Sequence, residues 1–419
     1  MNNIFFNFYK LIKTKTNFFF IFLLILLTFY RSPFILINGR FVAEEGYIWF
    51  RNIFLFGNFD TLIFIHEFSG YLNLWMNIAA ILAAIPPIEF APLATVYFAF
   101  LLKIYIFFYI IFSNSSLLPN IQSKYTGCII VLFSPVMTPE IWLNSLFSIN
   151  YLGILVFLML FEKNKNSHFK KINPYVLLIS GLSGLYGCVL APLFYIKYFF
   201  SKNKSNLLNF IVISLCSFAQ LLIIIYTKIF NLIAEDRFFI TYEKIINFIY
   251  NAILKVFFGR EILQKIIFII NFNLGKILAL VFVFFLFLIV FLILLKKKDY
   301  ILNMIAASFV IETLLVLFGA AYKDFAGGRY AVVPGVIISF MILRLFFLFK
   351  EAIYKGIFFI ILLISLVIGF LEFKYFTIYP TFLSCINCPV WKEEIIKWKK
   401  DKHYVINIWN YPHQQLKLY

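Results

Sequence analysis

Apolar runs near 20 residues long recur along the whole chain, and few folds can accept them. A helix needs about 20 such residues to cross a hydrocarbon core of about 30 Å. The runs fall at about 18–37, 71–86, 91–112, 125–137, 143–161, 174–200, 207–227, 272–295, 301–320, 331–349 and 356–373. A lipid-exposed backbone must satisfy its own hydrogen bonds, so each run is expected to be helical. The expectation is an all-α polytopic membrane protein with about eleven transmembrane helices and interfacial helices in its outer loops. Composition agrees: 63% of residues are hydrophobic and 13% charged, against roughly 45–50% apolar in soluble domains. The 58 phenylalanines, beside abundant Lys, Asn and Ile, read as AT-rich codon usage and not as a ligand stripe.

Net charge is +18, which would suit a nucleic-acid partner. The lysines, however, form no patch with interleaved aromatics. They sit in short clusters between apolar runs: Lys10, Lys13 and Lys15; Lys163, Lys165, Lys170 and Lys171; Lys202 and Lys204; Lys296, Lys297 and Lys298. That is the positive-inside pattern, so a membrane lipid environment is expected and nucleic acid is not. The first run is too long for a signal-peptide core and has no small-residue cleavage site, so it reads as a retained anchor with a cytoplasmic N-terminus.

Lys296 to Lys298 then place Tyr322 to Tyr330 outside. Lys350 and Lys355 return the chain inside, and the tail 374–419 lies outside. The loop 228–271 is also expected outside. It carries Glu235-Asp236-Arg237 and an amphipathic stretch near Tyr242 to Leu254 suited to the membrane surface. The domain reading is a transmembrane unit 1–373, with outer loops 38–70 and 228–271, followed by a short tail 374–419.

The run 174–200 has basic flanks on both sides and Gly181-Leu-Ser-Gly184-Leu-Tyr-Gly187 in its middle. One reading is a hairpin of two half-helices lining a cavity. The other is a single span packed closely at small residues. Pro135 and Pro139 break the run at 125–137. Among five cysteines, Cys385 and Cys388 are three apart. They form either a local disulfide in an oxidising compartment or two unpaired thiols; a lone pair cannot complete a zinc site. No glycine-rich phosphate loop, zinc-protease HExxH or nucleophile elbow is present.

Acids are scarce, so the pair Glu44-Glu45 just beyond the first run stands out. The loop around it also holds Arg40, Arg51, Asp60, His66 and Glu67. A carboxylate held at the membrane face could act as a general base on a hydroxyl or hold a divalent cation. An arginine beside it could clamp a phosphate. For any one of these residues alone, an ordinary solvated loop position is the competing reading.

The anchor, the acidic pair, and the following Gly46-Tyr47 resemble the first outer loop of the C-type (GT-C) membrane glycosyltransferases, of the mannosyltransferase and aminoarabinose-transferase kind. Further short matches are Gly70-Tyr71, the corner Pro135 to Asn144 with Glu140 and Trp142, the Gly181–Gly184 break, and Arg329-Tyr330 before a late run. The resemblance implies sugar transfer from a polyprenyl-phosphate donor to a glycan, lipid or protein acceptor, at the outer face of a bacterial-type inner membrane. It implies Glu44 as the catalytic acid position with Glu45 as its neighbour. Many members have aspartate there, which leaves the choice between the two open. Arg40, Arg51, Lys323 and Arg329 are the cations available to a phosphate; His66, Tyr71, Glu140 and Asn144 are further candidates. No metal site and no cofactor is assigned, although a divalent cation would suit the acids. A transporter or flippase of lipid-linked saccharides is the competing class. It predicts charges deep within spans, of which Lys103 and Glu312 are the clearest.

Overall fold

The computed structural model describes residues 2–66, 69–163, 169–230, 232, 238–269, 272–321, 327–374, 388–409 and 414–419. Lys323, Asp324, Glu67, Cys385, Lys165 and Glu235 to Arg237 lie outside them. The chain is all-α, about 78% helical, with two short two-stranded hairpins. Among the described residues six helices are long and apolar enough to cross a bilayer: Ile88–Phe112, Lys204–Ile229, Leu274–Lys297, Tyr300–Gly319, Gly328–Leu348 and Ala352–Phe373. Shorter apolar helices are Leu74–Ala84, Ile121–Phe133, Leu146–Leu160 and Leu185–Ser201.

The first helix, Asn2–Arg31, stops earlier than the apolar run does. Pro33 has no N–H to continue it and disfavours helical geometry at Ser32, whose φ/ψ is −154/78. A separate turn, Pro33–Asn38, carries the chain onward.

The run at 71–86 becomes Leu74–Ala84, 11 residues. At 1.5 Å per residue that is about 16 Å, roughly half a hydrocarbon core. Asn73 caps its start. Its indole and amide contacts then fix it against the first outer loop: Trp49 Nε1 donates to Asn77 Oδ1, and Asn77 Nδ2 donates to the carbonyls of Leu62 and Phe64. Just beyond its end, Ile88 O accepts from Trp391 of the tail.

For 174–200 the structure takes the hairpin. Helix Asn173–Gly181 runs up, the chain breaks at Leu182-Ser183-Gly184, and Leu185–Ser201 runs back. The break pairs with the backbone beside Leu74–Ala84. Leu74 N donates to Leu182 O, Trp75 N to Ser183 Oγ, and Gly184 N to Leu72 O. Gln220, buried in Lys204–Ile229, clamps the same Leu72 through both its amide atoms. Gly184 has φ 96 and ψ −173, a region open essentially to glycine alone. Gly184→Ala is therefore expected to cost about 2 kcal/mol, read as a lowered thermal midpoint in detergent.

Helix directions gather the basic turns at one end. Lys163 N donates to Asn114 O, Lys197 Nζ to Met159 O, and Phe200 packs edge-on against Tyr300. Lys297 lies 3.8 Å from Glu351, and Arg344 pairs with Asp299 at 2.6 Å. Residues 40–51, 62–66, 69–73, 139–150, 182–186 and 327–331 gather at the opposite end.

Two segments outside the long helices pack against the rest of the chain. The stretch Tyr242–Ile269, which includes the amphipathic stretch near Tyr242 to Leu254, buries one face. Ile246, Phe248, Ile249, Ala252, Ile253, Leu254 and Val256 are buried, because the apolar face of the stretch finds the late spans as partners. Helix Trp391–Lys400 and hairpin Ile406–Asn407/Gln415–Leu416 fold onto the first outer loop. Trp391 packs edge-on against Phe41 and Phe50, and Val42 pairs with Trp409. Buried Glu394 accepts from Lys397, Tyr404 and the Asn407 amide. Cys388 is disulfide-bonded.

Candidate functional site

Two carboxylates adjacent in sequence point into different surroundings. The turn that carries them is tight: Glu45 N donates to Val42 O and Gly46 N to Ala43 O. Ala43 takes φ 53, a left-handed conformation that a non-glycine residue adopts only at some cost. The chain then enters a wide helical turn, Glu45–Phe50. Glu45 falls on its inward side and is buried; Glu44 stays half-buried.

Glu45 is a structural clasp. Its Oε2 accepts from Val42 N at 3.4 Å and its Oε1 from Ser145 N at 3.2 Å. Arg40, also buried, is its counter-charge; Arg40 donates through Nη2 to Trp142 O at 2.9 Å and lies over Trp409. Burial pushes the Glu45 carboxyl up to about 7, against the opposing pull of Arg40 and the two amides. Burial also brings Arg40 down to about 10, with Glu45 opposing. The pair thus welds the first outer loop to the corner at 139–148.

Glu44 instead lines a cavity of about 70 Å³. Arg329 and Tyr330 face it from the start of the span Gly328–Leu348, with which they enter as a short 3₁₀ turn. Trp49, His66, Tyr71, Phe147, Asn150 and Tyr186 complete most of the wall. The Arg329 guanidinium is held in place: it donates to Glu140 Oε2 at 3.2 Å and to Tyr330 OH at 3.3 Å, and lies over the Phe147 ring. Glu44 interacts with it electrostatically. No hydrogen bond or ion pair holds the Glu44 carboxylate among the described residues.

The hairpin Ile65–His66/Tyr71–Leu72 sets His66 directly opposite Tyr71. His66 Nδ1 is 2.9 Å from Ser69 Oγ, and its ring lies 5.3 Å from Trp49. Tyr186 stands at the break of the helical hairpin, and its hydroxyl donates to Tyr330 O at 3.4 Å. It can approach Ile149–Leu160 because Gly153 faces it: a Cβ there would sit 2.6 Å from Tyr186 Cβ.

Of the residues singled out from sequence, the cavity gathers Glu44, His66, Tyr71 and Arg329, with Glu140 behind the arginine. Arg40 and Glu45 sit beside it as the buried clasp. Asn144 is fully buried, where its Oδ1 accepts from the amides of Leu146 and Phe147 and shapes the turn that presents Phe147. Arg51 points elsewhere, donating to Lys417 O in the tail. Lys323 lies outside the described residues. Sequence reading did not single out Trp49, Asn150 or Tyr186, and it noted Tyr330 only as the neighbour of Arg329. Asn150 is the most telling, since its buried Oδ1 has no partner; its only sequence signal is an amide at the head of an apolar run. Among the described residues no three of His, Cys, Asp and Glu gather closely enough to hold a metal ion.

No family model matches this chain, and no curated protein or solved structure matches it.

Proposed function

We propose that the chain is a membrane glycosyltransferase that moves a sugar from a polyprenyl-phosphate donor to a glycan, lipid or protein acceptor of the cell envelope. The observation that carries this reading is one cavity lined by an unpaired carboxylate, Glu44, and a fixed cation, Arg329. The cavity opens at the bundle end remote from the lysine turns. By the positive-inside rule that end is extracytoplasmic, in a bacterial-type inner membrane. On this reading eleven segments pass between the two ends of the bundle: the first helix, the six long helices, Ile121–Phe133, Leu146–Leu160 and the two arms of the helical hairpin. This parity puts the tail on the side of the first outer loop, against which it packs.

The chemistry follows from the two charges. The acceptor hydroxyl gives its proton to Glu44 as its oxygen bonds the sugar's anomeric carbon. The bond from that carbon to the phosphate oxygen breaks, and the leaving phosphate gains charge. Arg329, pre-positioned by Glu140 and Tyr330, stabilises that charge without reorganising. Trp49, Tyr71, Phe147 and Tyr186 supply apolar faces for the sugar and for the start of the lipid chain. Transfer of labelled sugar from polyprenyl phosphate, in membranes carrying Glu44→Gln, tests the reading.

A transporter or flippase of lipid-linked saccharides is the second reading, and Glu312 favours it. Glu312 is fully buried in Tyr300–Gly319, with neither carboxyl oxygen hydrogen-bonded among the described residues. It interacts with Tyr186, on the cavity wall, and with Cys188. A carboxyl so placed is what an ion-coupled carrier would use. Lys103, the other deep charge, likewise has no hydrogen-bond partner among the described residues, but it lies away from the cavity wall, with its ammonium 3.1 Å from the Trp142 ring centroid. If Glu312→Gln stops movement of a lipid-linked sugar across vesicles while Glu44→Gln does not, the carrier reading replaces the enzyme.

A further inference from the structure

A second void, of about 720 Å³, lies toward the basic end of the bundle. Leu274–Lys297 stands away from the late spans, and the space between is walled by Leu286, Phe287 and Val290 on one side and Ala306, Phe309 and Met341 on the other. Only 11% of that helix's most apolar window is buried, so the void faces the hydrocarbon of the bilayer. Water does not fill it, because a cavity lined by such residues stays dry. Leaving it empty forfeits the dispersion contacts of its walls. An apolar chain from the membrane is the occupant that meets both conditions.

Charge identifies the other end of that occupant. Lys296 and Lys297 line the void, with Glu351 and Tyr354 beside them. Lys298 follows, and Lys350 and Lys355 stand in the adjoining turn. Glu351 offsets part of this charge through Lys297, at 3.8 Å. Asp299 is taken by Arg344. Lys296 is exposed and has no ion pair among the described residues. Cations therefore remain in excess at the mouth of a void made for a lipid chain, and basic pockets between membrane helices draw anionic headgroups.

We propose that this void is a binding site for an anionic phospholipid of the bilayer, its chain between the helices and its phosphate at Lys296 and Lys297. The site is separate from the cavity at Glu44 and stands whether or not that cavity transfers sugar.

Native mass spectrometry of the detergent-solubilised protein, titrated with phosphatidylglycerol and with phosphatidylcholine of the same chains, tests it. The wild type is expected to retain phosphatidylglycerol about tenfold more tightly. The double variant K296Q/K297Q should still retain a lipid but lose that preference, and A306W, which fills the void, should lose the tightly held lipid. Should A306W fail to fold, F287W places an indole in the void. Brominated phosphatidylglycerol should then quench it more than brominated phosphatidylcholine at equal mole fraction. Equal retention of the two lipids by the wild type, or equal quenching, overturns the proposal. So does displacement of phosphatidylglycerol by an equimolar polyprenyl phosphate, which would give the void to a different lipid.

Discussion

Glu44→Gln is expected to lower sugar transfer at least a hundredfold while leaving insertion and folding intact. The lower bound is what a positioned general base contributes, about 10²–10⁴. The amide keeps the shape of the side chain and cannot take a proton. Folding is expected to be spared because, among the described residues, no hydrogen bond or ion pair depends on this carboxylate. Glu45→Gln should keep most transfer activity, since Glu45 does not line the cavity and its amide oxygen can still accept from one of the two backbone amides, Val42 or Ser145, that its two oxygens hold. The two variants, assayed side by side with labelled donor, separate the adjacent acids. Full activity in Glu44→Gln, and in the double variant, would remove the acid pair from the chemistry. Loss confined to Glu45→Gln would keep the enzyme and exchange the roles.

The class of fold was legible because membrane length and apolar composition leave a helix almost no alternative. The lysine clusters also carried real information: they mark the end at which the structure gathers those turns. Apolar content alone did not tell which runs become long helices: among the described residues six are long enough to cross. Leu74–Ala84 is apolar enough, but Asn73, Asn77 and Trp49 tie it to one end. The run 174–200 is long enough for one span, but Gly184 turns it into two arms.

The candidate site was half legible. Glu44 and Arg329 drew attention as charges in an uncharged chain. Their meeting, some 285 residues apart in sequence, follows from helix packing that no local pattern encodes. The different fates of Glu44 and Glu45 depend on a single turn in which Ala43 is left-handed. Arg51 looked equivalent to Arg40 from sequence; one pairs with a tail carbonyl and the other is buried, because the tail folds back.

Arg40→Met is expected to destabilise the protein by roughly 3 kcal/mol near pH 8, the scale for removing one partner of a buried charge pair. Methionine fills much of the same space, so lost packing is a small part of the effect. The larger part is a Glu45 carboxylate left in a buried site without its counter-charge, and a Trp142 carbonyl without its donor. The pH dependence fixes the cause. A carboxyl whose folded-state pKa is raised, here to about 7, contributes stability that is fully present below its unfolded value. That contribution is lost as pH rises through the folded value. Without Arg40 the folded value climbs further, so the deficit should be small near pH 5 and grow toward pH 8. Adding Glu45→Gln removes the titrating group, and the double variant should recover part of the loss and show a flatter profile. Cys128, Cys188 and Cys216 are buried and free, so a thiol-reactive dye reports unfolding directly at each pH. A deficit in Arg40→Met that is the same at pH 5 and pH 8 would show that the arginine acts by packing alone and that the buried charge pair is not what joins the outer loop to the corner beneath it.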